Sequence, residues 1–419
     1  MALDFLLTGA RMSGSDASLV DIGIRGETIA AIAPAGTIAA DCEVIALRGQ
    51  LIMPGFVETH IHLDKSCVID RCDIQQGTLL EAITETARVK REFSEPDIAS
   101  RAVRTLEKSI VAGTQLMRTH VEVDPRIGLK GFNAVRRVAR DYAWAIDIEV
   151  CVFPQEGMLN DPGTEDLLIT ACEQGAGAIG GCPYADTHPV EHIARIFDIA
   201  RRFDLDIDFH LDFDLDASWM HLTEVCKQAR ARKYEGRVAV GHVTKLSALP
   251  MPQLVETARL IADSGVAVTV LPATDLFLMG REHDHNVPRG VSRADILMQH
   301  GVTCSLATNN VLNAFTPFGD CSLTRIANLY ANAAQLGRRE DLARCMEMIS
   351  TSAAKLMNRP LRKIELGAPA DPIVLPCPDG ASAVSEIVQP VFGFKAGRRS
   401  FSRAPAVLFG PMRNATARS

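Results

Sequence analysis

The chain has 419 residues, 47% hydrophobic and 23% charged, with a formal net charge of −7. That is ample apolar material for one large domain with an appendage, or for two or three domains. The acidic balance, with no basic block or basic–aromatic cluster, argues against nucleic acid as a partner, and no apolar run approaches the roughly 20 residues that cross a bilayer.

The opening MALDFLLTGARMSG lacks the basic and apolar regions of a signal peptide and reads as a first strand. Three β-rich stretches, "FLLTGARM", "LVDIGIRGETIAAIAP" and "CEVIALRGQLIMPG", follow one another, cut by Gly, Asp and Pro turn signals. The tail repeats the style in "ADPIVLPCPDG" and "EIVQPVFGFKAGRRSF". The two ends are expected to meet in one small β-sandwich domain, residues 1–53 plus 365–419.

Between them, residues 54–364, the pattern changes. Short apolar strands are expected at Leu51–Glu58, Gln115–His120, Ile146–Phe153, Ala176–Gly180, Leu205–His210, Arg237–His242, Val266–Pro272 and Val302–Thr308. Helical patterns lie between them, such as "VEHIARIFDIARRF", where Ile193, Ile196, Phe197, Ile199 and Ala200 share roughly one face. Eight strand–helix units predict a (β/α)8 barrel, whose active site lies at the C-terminal ends of the strands. A doubly wound sheet is the alternative, but it gives no reason for polar residues at so many strand ends.

Those ends supply His60 and His62, then His120 and Glu122, Gln155, His210 and Asp212, His242, and Asn309. Five of the 11 histidines would thus converge on one rim. Residues two apart on a strand share a face, so His60 and His62 can bind one cation together, with His210 a third ligand from across the barrel. Neutral imidazole suits both zinc and iron. A lone H-x-H is more often a polar pair near a turn than a metal site; ahead of seven further units the metal reading prevails. A second H-x-H, His283 and His285, sits in the polar loop "GREHDHNVPRG" and reads as solvated. The 11 cysteines are scattered, odd in number and without C-x-x-C, as expected for reduced thiols in a cytoplasmic protein.

"GFVETHIHLDK", "RTHVEVD", "FPQEG", "FHLD", "GH" (Gly241–His242), "LFLMGR" and "PRGVSR" occur in an order that resembles the amidohydrolase superfamily, and within it the cytosine deaminase-like branch. "GAPADPIVL" resembles that family's return into its β-domain. The resemblance covers nearly the whole chain. It implies one divalent metal, Zn(II) or Fe(II), held by His60, His62, His210 and the residue at 309; the fourth strand's "AIGGCPYAD" lacks the lysine that bridges two metals in other members. It implies a small heterocyclic substrate, Gln155 gripping the ring's amide edge, His242 stabilising developing charge, and attack by hydroxide activated on the metal. Oligomers are common in the family, though nothing in the sequence fixes the number.

Two positions depart from the pattern. The strand-eight Asp that takes the water's proton is Asn309, and the Glu that shuttles protons to the ring is Phe213. An amide oxygen can approach a cation but cannot titrate as a base, and losing a general base typically costs about 10²–10⁴ in rate. Asp212 and His242 are the candidates to replace the lost proton carriers. Phe213 and Phe315 are expected to wall the pocket against a flat substrate. The expected function is hydrolysis of a non-peptide C–N bond in a pyrimidine, triazine or pterin-like ring. The alternative is a degenerate barrel that binds a small molecule without hydrolysing it.

Overall fold

The computed structural model describes residues 2–12, 18–39, 41–360, 362–404 and 406–409. Five strands come first: β1 (Phe5–Met12), β2 (Val20–Arg25), β3 (Thr28–Pro34), β4 (Glu43–Ala46) and β5 (Leu51–Pro54). The next eight are β6 (Phe56–Ile61), β7 (Thr114–Glu122), β8 (Asp147–Phe153), β9 (Ala178–Ile179), β10 (Asp206–Leu211), β11 (Val238–His242), β12 (Val266–Val270) and β13 (Cys304–Leu306). Three close the chain: β14 (Pro372–Leu375), β15 (Phe392–Lys395) and β16 (Arg398–Ser402).

Strands β6 to β13 pair in parallel with their sequence neighbours, and helices fill the crossovers. β6, β7, β11 and β12 are buried along their whole length. That is why β11 (VAVGH) and β12 (VAVTV) read as largely apolar runs instead of alternating ones, whereas β6 and β7 bury polar side chains such as Glu58, His60, Arg118 and His120. The first and last strands meet through a parallel bridge between Ile61 and Asn309. Here the Asn309 N–H donates to the His60 carbonyl at 2.8 Å and the His62 N–H donates to the Asn309 carbonyl at 3.0 Å. The result is an eight-stranded barrel whose seam runs between two of the expected metal ligands and residue 309.

The remaining strands form a second sheet in the order β16–β15–β14–β5–β1–β2–β3, with β4 also on β1. Its own apolar cluster, including Leu7, Ile22, Ile24, Ile52, Val374 and Phe394, is separate from the barrel's.

The expected first barrel strand, Leu51–Glu58, is two strands. Leu51–Pro54 pairs antiparallel with β14 in the small sheet, and the chain changes sheet at Gly55 before β6 begins. A Cβ at Gly55 would stand 2.3 Å from the Gln115 side chain, so only glycine fits where the chain crosses over. The fourth and eighth strands are shorter than expected, two and three residues. The helix Pro189–Phe203 buries Ile193, Ile196, Phe197, Ile199 and Ala200, the face its spacing foretold. Ser94 caps the helix Glu95–Val111, its side chain accepting from the Asp97 N–H.

Candidate functional site

His60 lies in β6 and His62 just past its end, His210 lies in β10, and all three are buried. Their side chains meet tip to tip. The His210 Nε2 is 3.0 Å from His60 Nε2 and 3.1 Å from His62 Nε2. Burial, followed by the neighbouring imidazoles and, for His62 and His210, Lys65, holds all three pKa values well below the ordinary histidine range. They are therefore neutral, with lone pairs available.

These distances fit a metal. Ligand nitrogens about 2.0–2.1 Å from one ion stand roughly 3.0–3.4 Å apart. A second observation agrees: the Oδ1 of Asn309 is buried with no hydrogen-bond partner, and an unsatisfied buried acceptor is what a cation relieves. Among the described residues, the groups near these histidines whose ligand atoms all lie within 4.8 Å of one another are His60, His210 and His242, and His60, His120 and Asp208; His62 meets the cluster through His210.

Asn309 has φ of 64° and His242 φ of 68°, left-handed conformations that turn each side chain off its strand direction. The Asn309 Nδ2 lies 3.4 Å from the His242 Nε2. On its other side, His242 Nδ1 is 2.7 Å from the Asp275 Oδ1, while the Asp275 Oδ2 accepts the Leu271 N–H at 3.2 Å. Burial raises the Asp275 pKa, opposed by His242. Phe213 stacks on His242 with ring centres 3.7 Å apart, and Phe153 stacks on His210 at 4.5 Å.

Asp212 does different work from that expected of it. β10 ends at Leu211, and Asp212 takes φ of 47°, so the strand alternation with His210 is broken. Its two oxygens accept the N–H groups of His221 and Leu222, each at 2.9 Å, at the start of the helix Leu222–Ala231. Both oxygens are committed to backbone donors, so Asp212 anchors a helix start and is not placed as a base.

Gln155 is buried, its Oε1 accepting from Lys65 Nζ at 2.8 Å and its Nε2 lying 3.6 Å from the Cys182 sulfur. Lys65 also donates to Glu122 at 2.7 Å and sits 4.6 Å over the Phe315 ring. Behind it, Lys90 donates to Glu122, Asp124 and Glu156 at 2.6–3.0 Å. Phe213 and Phe315 join Ala82, Leu278, Met279 and Ala314 in an apolar cluster. Its members come from segments that follow β6, β10, β12 and β13, and so cover the end of the barrel that carries the histidines. His283 and His285 lie apart from the other histidines, with side chains 48% and 82% exposed.

Three participants were not singled out in the sequence. Asp275 lies in the helix Pro272–Leu278, past the end of the seventh strand; the one available signal was an acid in the first turn after a strand. Glu58 stands two residues before His60 and accepts the N–H groups of Thr308 and His60 at 3.1 and 3.2 Å, tying the barrel seam. Asp208, two before His210, accepts from Arg118 at 3.0 Å and places an oxygen 3.6 Å from His120.

The sequence pattern of the amidohydrolase family matches residues 43–146 and 132–389. The chain is 28% identical over 360 residues to a pterin deaminase of Rhizobium rhizogenes, covering 84% of this chain and 80% of that one. Among solved structures, 5-methylcytosine deaminase from Klebsiella pneumoniae, bound to 5-fluorocytosine, superposes with a TM-score of 0.92 at 26% identity, covering 97% of this chain and 99% of that one. N-isopropylammelide isopropylaminohydrolase from Burkholderia multivorans superposes with a TM-score of 0.82 at 26% identity, covering 95% and 98%.

Proposed function

The chain belongs to the amidohydrolase family, and from that premise we propose that it hydrolyses a C–N bond on a small pyrimidine, triazine or pterin-like ring, releasing ammonia or an amine. The observation that carries the reading is the tip-to-tip meeting of His60, His62 and His210 beside the His242–Asp275 pair. The relatives act, by their names, on rings of these three kinds.

His60, His62 and His210, with the Asn309 side-chain Oδ1, would hold one divalent ion, zinc or iron. Such an ion supplies Lewis-acid activation of water. The chain's own groups do the rest. Asp275 accepts the His242 Nδ1–H, which leaves Nε2 unprotonated, an acceptor that the Asn309 Nδ2 approaches at 3.4 Å. In this reading His242 Nε2 receives the proton of the attacking water and returns it to the departing nitrogen. The ring carbon gains oxygen, the C–N bond breaks, and the nitrogen leaves with that proton. The base has thus moved from residue 309 to residue 242, with Asp275 carrying the negative charge that Asn309 lacks. Gln155 and Lys65 would bind the ring's oxo edge, and Phe213 and Phe315 would exclude water and flank the flat ring.

The test is release of ammonia or amine from a panel of aminopyrimidines, aminotriazines and pterins by metal-loaded protein. Turnover that disappears in His242→Ala supports the proposal. No release from any of the three ring classes would remove it.

A further inference from the structure

We propose that residues 73–89 form a lid that must swing off the histidine cluster before a ring can enter, and that Arg281 is the latch that holds it shut. The proposal rests on the site assigned above being the one a ring must reach, and it concerns admission to that site.

The site is sealed as it stands. His60, His62, His210, His242, Asn309 and Gln155 are each at most 3% exposed. Phe213 lies on the His242 ring with centres 3.7 Å apart, so one face of that imidazole is covered as well. A ring reaches these groups only if part of the roof moves. The roof is the apolar cluster of Ala82, Phe213, Leu278, Met279, Ala314 and Phe315.

Three of its four segments are tied to the barrel by hydrogen bonds of their own. The carbonyls on either side of Phe213, those of Asp212 and Asp214, both accept from the Thr244 hydroxyl, at 3.2 and 2.8 Å. The Phe315 N–H donates to the Asn313 Oδ1 at 3.0 Å, and the Asn313 amide donates to the Asn310 Oδ1 at 2.7 Å. Next to it, the hydroxyls of Thr316 and Thr274 meet at 2.8 Å, and the Met279 N–H donates to the Asp275 carbonyl at 3.0 Å.

The fourth segment, residues 73–89, bonds to itself. Glu81 accepts the N–H groups of Gln75, Gln76 and Gly77 at 2.5–2.9 Å, and Glu85 accepts the Asp73 N–H at 2.8 Å. Thr78 caps the helix Leu79–Val89, its side chain accepting the Glu81 N–H at 3.2 Å. Loop and helix thus make one body. Its two ends are clamped together: Arg88 donates to the Arg71 carbonyl at 2.8 Å, Arg71 pairs with Asp97 at 2.6 Å, and Lys90 is held by Asp124 at 2.6 Å. Entry and exit pinned side by side are the layout of a hinge. Against the rest of the roof the body offers apolar packing from Ile74, Leu79, Ala82 and Ile83.

Among the described residues, one hydrogen bond joins this body to the chain beyond its hinge. The Arg281 Nη1 donates to the Gln76 carbonyl at 3.1 Å. Arg281 is exposed, its guanidinium 4.5 Å over the Phe277 ring and its Nε donating to the Phe277 carbonyl at 2.9 Å. Gly77 has φ of 66°, and a Cβ there would stand 2.9 Å from the guanidinium carbon, so glycine is what lets the latch close. A body held by apolar packing and one bond opens far more often than the barrel unfolds. One bond from a charged donor shifts that opening by about tenfold.

The test needs neither substrate nor metal. Hydrogen–deuterium exchange is followed by mass spectrometry in the helices Leu79–Val89 and Glu95–Val111. Carbethoxylation by diethyl pyrocarbonate is followed at His242, with the exposed His283 and His285 as internal standards. Arg281→Ala should speed exchange in Leu79–Val89 and modification of His242 by the same factor, about tenfold, and leave Glu95–Val111 and the standards at their wild-type rates. Gly77→Ala, which crowds the guanidinium from the lid side, should reproduce both changes. Faster exchange with unchanged modification of His242 would make Arg281 a structural tie only and overturn the proposal. So would a Leu79–Val89 helix that exchanges in step with Glu95–Val111 in wild type and in both variants. Turnover without this motion would leave the proposed hydrolysis standing and remove the lid; motion without turnover of any ring would do the reverse.

Discussion

Replacing Asp275 by Asn should disable His242 without disturbing the metal ligands. The two Asp275 oxygens have separate tasks: Oδ1 meets the His242 Nδ1 at 2.7 Å and Oδ2 accepts the Leu271 N–H at 3.2 Å. Asparagine has one acceptor. The Leu271 N–H can only donate, so the amide oxygen turns to it and the amide N–H₂ faces the imidazole Nδ1. That reverses the tautomer and puts the proton on Nε2, the atom that must be free to accept one. The opposite amide orientation leaves a buried N–H facing another N–H, at a cost of about 1–3 kcal/mol. Losing the base should therefore lower kcat by about 10²–10⁴, the range for general-base loss and for the same carboxylate-to-amide change in a Ser-His-Asp triad. Metal content and KM should stay near wild type. Steady-state kinetics measure the rate, and ¹⁵N shifts of the labelled imidazole report the tautomer. A kcat within about threefold of wild type would refute the reasoning, because a base held in the wrong tautomer cannot lose so little.

Lys90→Met should destabilise the chain by about 3–5 kcal/mol in urea unfolding, since it leaves Glu122, Asp124 and Glu156 gathered without the ammonium between them; a loss under about 1 kcal/mol would show that water reaches these groups freely. Burial raises Glu58 from 4.5 to about 7. Its folded form thus binds the proton more tightly than its unfolded form, and the stability this contributes is full below the unfolded value and lost as pH rises to the folded one. Measured on metal-free protein, the stability advantage of wild type over Glu58→Gln should shrink by about 3 kcal/mol across that window; a gap constant with pH would contradict it. Chelation should lower the melting temperature, because an ion present at a thousandfold excess over its dissociation constant contributes about 4 kcal/mol; an unchanged melt would mean that the histidine cluster binds no ion in solution.

The histidines were legible because a strand's two-residue period puts His60 and His62 on one face whatever surrounds them, and the barrel's regular alternation carried His210 to the same end. That same period misled at Asp212. It holds only while the backbone stays extended, and the chain turns left-handed one residue past β10. The first strand was read too long because Leu51–Pro54 is as apolar as Phe56–Ile61. Their membership of different sheets depends on what lies opposite, β14 for one and β7 for the other. Asp275 was hidden for another reason: it meets His242 only when the segments after the sixth and seventh strands pack together, and no local spacing encodes that contact. Phe213 is legible as a wall, but its stacking on His242 depends on how the segments after β10 and β11 pack together, which no local spacing encodes.

The most direct test of the account is the metal content of purified chain, measured by plasma mass spectrometry for wild type and for His60→Ala, His62→Ala and His210→Ala. One divalent ion per chain in wild type, lost in each variant while the fold persists by circular dichroism, is the expected result. A wild type that binds none when offered zinc or iron, or a His210→Ala variant that keeps its full complement, would contradict the claim that these three imidazoles close on one cation.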